Sequence, residues 1–286
     1  MQQRREVRVG PYIIGDGHPT VFVAELGINH LGSLQVAKDM VKGAHEAGAH
    51  LLKLQTYIAE KRYEKSNPRY EEFTSNLTKW QLPQREEREL WEYAASLGAI
   101  LFTSIFDEDS IDFADSLGSA AYKLAAFEIT NKRLVRKIAE KGKPVVFSRG
   151  MATHEEVDET VRILEDHHCP VIILHTISSY PLQKKDSHLR MIHTLRDRYL
   201  WPIGHSDHTP GAIIPPLAAA AGANMIEKHF SITPKRRESD NFFSVTPEEV
   251  EEIVFRLCQI DSYMGRGDIV RTSTEEYMWD FRRYTK

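Results

Sequence analysis

The stretch GHSDHTPG, residues 204–211, sets His205 and His208 three residues apart around a Ser-Asp pair, and the triplet Glu227-Lys228-His229 follows further along. Neutral imidazoles at His208 and His229 could ligate one divalent metal. Oxygen neighbours such as Glu25, Glu227 and Asp240, with water or substrate in the open positions, suit Mn²⁺ or Mg²⁺. A pair of unrelated hydrogen-bonded histidines accounts for the spacing as well, because HxxH outside a helix is a weak motif. Lys53, Lys123 and Lys228 each stand in an otherwise apolar run, where desolvation costs several kcal/mol unless an anion is present. That combination points to an anionic substrate. Buried lysine also opens Schiff-base chemistry at Lys123 or Lys53. A nucleophilic triad lacks a GxSxG elbow, and neither Cys169 nor Cys258 lies among these polar positions.

Short apolar β-type runs carry these residues. Eight of them recur between amphipathic stretches: 21–25, 50–56, 99–105, 120–125, 144–149, 170–176, 201–206 and 224–230. A helical example is residues 33–48, whose Leu34, Ala37, Val41 and Ala44 recur at steps of three and four. Gly48, Gly98, Gly118 and Gly142 follow four such helical patterns, where a left-handed residue is favoured. Eight strands with crossover helices predict a closed (β/α)8 barrel, an α/β fold that buries both sheet faces and leaves no edge. An open doubly wound sheet is the alternative, but no GxGxxG or GxxxxGK[ST] motif supports its nucleotide-binding forms. Residues 8–20 read as a hairpin turning near Gly15-Asp16-Gly17 and capping the barrel floor. The polar, aromatic-rich segment 58–83 reads as a long loop over the active face.

With 286 residues, the chain fits a single barrel, a fold that commonly runs to about 250 residues. The expected layout is one domain over 1–286, with 1–20 as the hairpin extension and 265–286 as a tail. A composition 41% hydrophobic and 27% charged is that of a globular protein with a sizeable core. Net charge -4 and pI near 6.4 argue against a general nucleic-acid binder. The charged N-terminus does not read as a secretory signal, and the longest apolar stretch is broken by Pro215, Pro216 and Gly222. No membrane segment is expected. Two cysteines without metal-site spacing fit a reduced, cytoplasmic setting.

Nearly every run ends in a polar residue. In a barrel the C-terminal strand ends surround one bowl, so Glu25, Lys53, Gln55, Ser104, Lys123, Ser148, His175, Ser206 and the triplet 227–229 are expected to share a pocket. Helix capping explains any one of them. It does not explain the lysines.

The opening motif Ala24, Glu25, Gly27, Asn29, His30 and Gly32, followed by Lys53, Gln55 and Thr56, resembles the sialic acid synthase family, which includes the legionaminate and pseudaminate synthases. GHSDHTPG and GANMIEKHFSI are similar to that family's later segments, with Asp240, Ser244 and Pro247 in register. The resemblance runs from about residue 8 to 280. It implies a metal-assisted aldol-type condensation of phosphoenolpyruvate with an N-acetylmannosamine-like aldehyde, giving a 2-keto-3-deoxy sugar acid and phosphate. Catalytic roles fall to Glu25, Lys53, Lys123, His208 and His229, with metal on His208 and His229. Lys53, Ser104, Lys123, Ser148, Ser178 and Ser206 are the implied phosphoenolpyruvate contacts; Glu25, Gln55, Glu128, Tyr180 and Asp240 are those to the sugar. Asp207 and Glu227 are expected to orient their neighbours. A homodimer is the expected assembly.

The chain departs from that pattern in several places. Ser104 stands where relatives have threonine, Arg149 where they have another threonine, and Ser178 where they have asparagine. The Arg149 guanidinium either binds a substrate phosphate or points outside the barrel. Thr233-Pro234 replaces an Asp-Arg pair. The chain stops at DFRRYTK, about where relatives continue into an antifreeze-like domain that lends an arginine to the sugar site. The expectation is a barrel working without that domain: either the substrate differs and needs no such arm, or another chain or local residues such as Arg236 and Arg237 serve instead. A non-catalytic or partner-dependent phosphoenolpyruvate-binding barrel and a Schiff-base aldolase remain the alternatives.

Overall fold

The computed structural model describes residues 5–233, 238–265 and 267–283. Eight parallel strands close into a barrel in chain order. After a two-stranded hairpin, β1 (Val7–Val9) and β2 (Tyr12–Ile14), come β3 (Val21–Gly27), β4 (Leu51–Thr56), β5 (Leu101–Ile105), β6 (Tyr122–Leu124), β7 (Val145–Ser148), β8 (Val171–His175), β9 (Ile203–Asp207) and β10 (Met225–His229), the last pairing with β3. Every apolar run of the sequence is one of these barrel strands. Their bodies are buried on both faces, which is why they read as continuous apolar runs rather than alternations.

The α-helices among the described residues are α1 (Leu34–Glu46), α2 (Tyr70–Trp80), α3 (Gln84–Ser96), α4 (Glu108–Ser116), α5 (Lys132–Ala139), α6 (His154–Asp166), α7 (Arg190–Arg198), α8 (Ile214–Ala220) and α9 (Pro247–Met264). In α1, Ser33 caps the first turn by accepting from the Val36 N–H, and Ala37, Met40, Val41 and Ala44 form the buried stripe. Gly48, Gly98, Gly118 and Gly142 all have positive φ, as their places after helix ends require.

The hairpin covers the floor, but its turn is not at Gly15–Gly17. Val9 pairs with Tyr12, so the turn is the two residues Gly10-Pro11, with Gly10 at φ +57°. This register turns Val7, Val9 and Ile14 into the core, sets the Tyr12 ring 5.3 Å from that of His50, and lets the Arg5 N–H donate to the Leu200 carbonyl. Asp16 and Gly17 form a separate turn after β2, with the His18 N–H donating to the Gly15 carbonyl (3.4 Å), and Asp16 accepts from Arg196 and Asn224.

The segment 58–83 is likewise not a plain loop. It holds α2, whose Phe73, Leu77 and Trp80 recur at helical spacing and face the barrel mouth. Its ends are pinned: the Ile58 N–H donates to Asp107 Oδ2 (2.9 Å), the Ala59 N–H to Gln81 Oε1 (2.9 Å) and the Tyr57 hydroxyl to the Leu77 carbonyl (3.1 Å). Ile28, Tyr57, Ala59, Leu77 and Phe106 form a second apolar cluster beneath it. Gly32 lets this roof close. At φ +78° any Cβ there would lie 2.5 Å from the Lys79 carbonyl oxygen.

Candidate active site

The C-terminal strand ends open into one cavity of about 410 Å³. Its walls carry Glu25, Lys53, Gln55, Ser104, Lys123, Ser148, Ser206, His208, Glu227, His229, Asp240 and Tyr180, each a residue singled out by sequence. Strand register explains the convergence. Glu25 is level with Lys53 and with His229, Gln55 with Ser104, Ser104 with Lys123, and Glu227 with Ser206.

The strand period of two sorts the remainder. Lys228, between Glu227 and His229, points out of the barrel, where its ammonium is fully buried against Asp207 (2.6 Å) and contacts the Thr209 carbonyl. It is therefore a structural ion pair and no part of the expected pocket. His175 also faces outward: its ring stacks on His205 and its Nε2–H donates to the Ser187 carbonyl. Arg149 goes with it, guanidinium to His175 Nδ1 at 3.2 Å, outside the barrel. Asp207, bonded to Lys228, also accepts from the Thr209 N–H and hydroxyl just past His208. Ser178 packs beside Gly150 and Glu128 accepts from Asn131, and neither lines the cavity. Lys235, Arg236 and Arg237 lie outside the described residues.

Thr176 and Arg62, with Tyr63 and Asn76, are polar groups on the wall that were missed by sequence. Thr176 lines the cavity on the β8 side, its hydroxyl donating to the Ser206 carbonyl. Arg62, from the roof segment, donates to Gln55 Oε1 (3.0 Å) and lies 3.6 Å over the Phe106 ring. Thr176 follows from extending the β8 alternation one residue past its apolar body; Arg62 had only the aromatic-rich composition of its segment as a signal.

The electrostatics are those of a dry, densely charged bowl. Lys53 contacts Glu25 Oε2, donates to Ser104 Oγ (2.9 Å) and lies 3.8 Å from Glu227 Oε2. Burial raises the Glu25 carboxyl to about 7, against the pull of Lys53. Burial also works on Glu227, but Lys123 and Lys53 hold it below the ordinary carboxylate range. Lys123 donates to Ser148 Oγ (2.7 Å) and the Leu124 carbonyl (3.0 Å), makes no salt bridge among the described residues, and is pushed down to about 8 by burial. Burial pushes Asp240 up to about 6, with Arg62 opposing.

His208 and His229 have ring centroids 5.6 Å apart. Burial lowers His208 to about 4 and His229 well below its ordinary value, so both are neutral. His208 Nδ1–H donates to the Ile177 carbonyl (3.1 Å), which leaves the Nε2 lone pair free. His229 Nδ1 is buried without a hydrogen-bond partner, 3.6 Å from Asp240 Oδ2. Among the described residues no three His, Cys, Asp or Glu are gathered closely enough to enclose a metal. Two neutral imidazoles beside carboxylates thus fit an open divalent site completed by substrate or water, and not a closed structural one.

Fold and cavity define a (β/α)8-barrel enzyme with a recessed, cation-bearing pocket at the C-terminal strand ends. The NeuB family model matches residues 40–269. The chain is 34% identical over 269 residues to N,N'-diacetyllegionaminic acid synthase of Legionella pneumophila (89% of this chain, 76% of the relative). It is 32% identical over 262 residues to pseudaminic acid synthase of Campylobacter jejuni (86% and 75%). N-acetylneuraminic acid (sialic acid) synthetase of Leptospira borgpetersenii, whose crystal structure holds citrate, superposes with a TM-score of 0.92 at 31% identity, covering 98% of this chain and 97% of that one. The chain belongs to the NeuB family, and it is an enzyme of the transferase type. No helix among the described residues is long and apolar enough to cross a membrane.

Proposed function

We propose that this enzyme condenses phosphoenolpyruvate with an open-chain amino-sugar aldehyde, joining C3 of phosphoenolpyruvate to the aldehyde carbon. Water adds at C2 and the C–O bond to phosphate breaks, yielding a 2-keto-3-deoxy sugar acid. The carrying observation is Lys123, a buried ammonium with two neutral hydrogen-bond partners and no carboxylate in contact, bonded to Ser148 and level with Ser104, with Ser206 lining the same cavity and donating to Glu227 Oε1 (2.9 Å). An anion placed there gains a charge and hydroxyl donors already oriented.

Lys53 and Lys123, with the three serines, bind and orient the phosphate and carboxylate of phosphoenolpyruvate. Glu25, held near 7, both accepts and returns a proton at neutral pH, which suits it to activate water or a sugar hydroxyl. Gln55 donates to Glu25 Oε1 (3.0 Å) and fixes its rotamer. Asp240, Tyr180 and the missed Arg62 line the wider end, where a sugar would lie. The roof from α2 excludes water around the reacting carbons. His208 and His229 would hold a divalent cation, Mn²⁺ or Mg²⁺, which would supply Lewis acidity toward the aldehyde. A cytoplasmic homodimer is the setting this reading carries with it.

The test is phosphate release from phosphoenolpyruvate with Mn²⁺, with and without chelator, across N-acetylmannosamine, its 6-phosphate, diacetamido sugars and plain hexoses. Chelator-sensitive release with one sugar supports the reading; silence across the panel refutes it. The lowered Lys123 also favours a second reading, a Schiff base on its amine. That reading requires a borohydride-trapped adduct and turnover indifferent to chelator.

A further inference from the structure

Behind the active site, outside the barrel wall, lies a second cleft of about 720 Å³, open to solvent. Arg149, Lys184, Lys185, His188 and Arg190 line it, and no acidic side chain does among the described residues. None of the five makes a salt bridge to a described residue, although Lys and Arg elsewhere on the surface are repeatedly paired, as in Arg198 with Asp158 or Lys143 with Asp115.

Arg149 is the anchor. It is half-buried, and its Nε is buried without a hydrogen-bond partner. Its guanidinium donates to His175 Nδ1, which accepts only in the neutral ring, while the Nε2–H donates to the Ser187 carbonyl (2.8 Å). The imidazole fixes the direction of the guanidinium and neutralises none of its charge. A partly desolvated cation, held rigid and uncompensated, with four further cationic or ionisable side chains around the same space, is preorganised for an anion. Ile214 and Leu217 add an apolar wall.

We propose that this cleft is a second anion site, for a phosphorylated small molecule, distinct from the catalytic cavity and sharing a wall with it through Ser148-Arg149 and Ile177. The Ile177 side chain lines this cleft while its carbonyl accepts from His208 on the other side.

Inorganic pyrophosphate is the probe, titrated by calorimetry into the metal-free full chain, with phosphoenolpyruvate titrated in parallel. Each lost charge-assisted contact weakens an anion about tenfold or more. Arg149→Gln and the double variant Lys184→Ala/Lys185→Ala are each expected to weaken pyrophosphate by at least about tenfold, while Lys123→Met, in the catalytic cavity, leaves it nearly unchanged. Both lysines are exposed, so the double variant keeps its fold even if Arg149→Gln does not. Pyrophosphate binding that survives the double variant, that vanishes in Lys123→Met, or that never saturates at millimolar concentration overturns the proposal. The phosphoenolpyruvate titration reports on the catalytic reading separately, since it is expected to weaken about 10- to 150-fold in Lys123→Met and to be indifferent to Lys184 and Lys185.

Discussion

Replacing Lys123 by methionine removes the cavity ammonium that makes no salt bridge among the described residues, although Glu227 and Glu25 act on it through space. Its fall from the ordinary 10.5 to about 8 corresponds to about 3 kcal/mol of unfavourable charging in the free site. An anion against it reverses that penalty, so the bound form holds the proton near its ordinary value. Binding therefore takes up a proton above about pH 8, and affinity for phosphoenolpyruvate falls as pH rises through that value. With 8 in the free site and 10.5 in the complex, Lys123 contributes about a tenfold weakening between pH 7 and 9. At pH 7, losing the charge-assisted contact costs about 1.5–3 kcal/mol, or about 10- to 150-fold in Kd. Glu25, raised to about 7, becomes fully charged over the same range and adds its own repulsion, which Lys123→Met retains. Calorimetry on both chains at pH 7 and 9 separates the two contributions, because only the Lys123 part disappears in the variant. Parallel pH slopes in the two chains, or equal affinity at pH 7, would refute the reasoning.

His208→Ala and His229→Ala should each abolish chelator-sensitive turnover while far-UV circular dichroism stays native, since both rings sit at the functional face; full activity in either removes the metal assignment. Lys228→Met should leave phosphoenolpyruvate affinity alone but lower stability by about 3–5 kcal/mol in urea denaturation, because Asp207 is left buried and unpaired. The opposite pattern would return Lys228 to the cavity. Glu87, buried against Thr56, is raised from 4.5 to about 7 by burial. The folded state therefore holds its proton more tightly; that stabilisation is complete below about pH 4.5 and is lost as pH rises through about 7, a change of about 3 kcal/mol. Glu87→Gln should flatten the pH 5–8 stability profile and be the more stable chain at pH 8; an unaltered slope would show that another group carries it.

The strands were legible because their signal is local. The body of a run such as 170–176, Val171 to Leu174, is apolar throughout since both faces of a barrel strand are buried, and the glycines after helix ends mark a left-handed residue that only neighbouring backbone dictates. The polar strand ends were legible for the same reason, and most of them line the cavity. Lys228 was misjudged although the alternation was available: flanked by Glu227 and His229, it could not face the same way. The hairpin turn was misplaced because Gly10-Pro11 and Gly15–Gly17 are both acceptable turns, and only packing of Val7, Val9 and Ile14 on the floor selects between them.

By itself, then, the sequence determined the eight-fold βα alternation, the barrel it implies, the polar ends of its strands and the family motifs. Tertiary structure decided which of those ends share space, that Arg62 and the α2 roof come over them, and that Arg149 turns outward to a cleft of its own. It also decided that Lys53 makes salt bridges to Glu25 and Glu227 while Lys123 makes none among the described residues. Propensity and periodicity act between residues a few positions apart, whereas charge compensation and burial act through space between strands far apart in sequence, and those distances exist only once the barrel has closed.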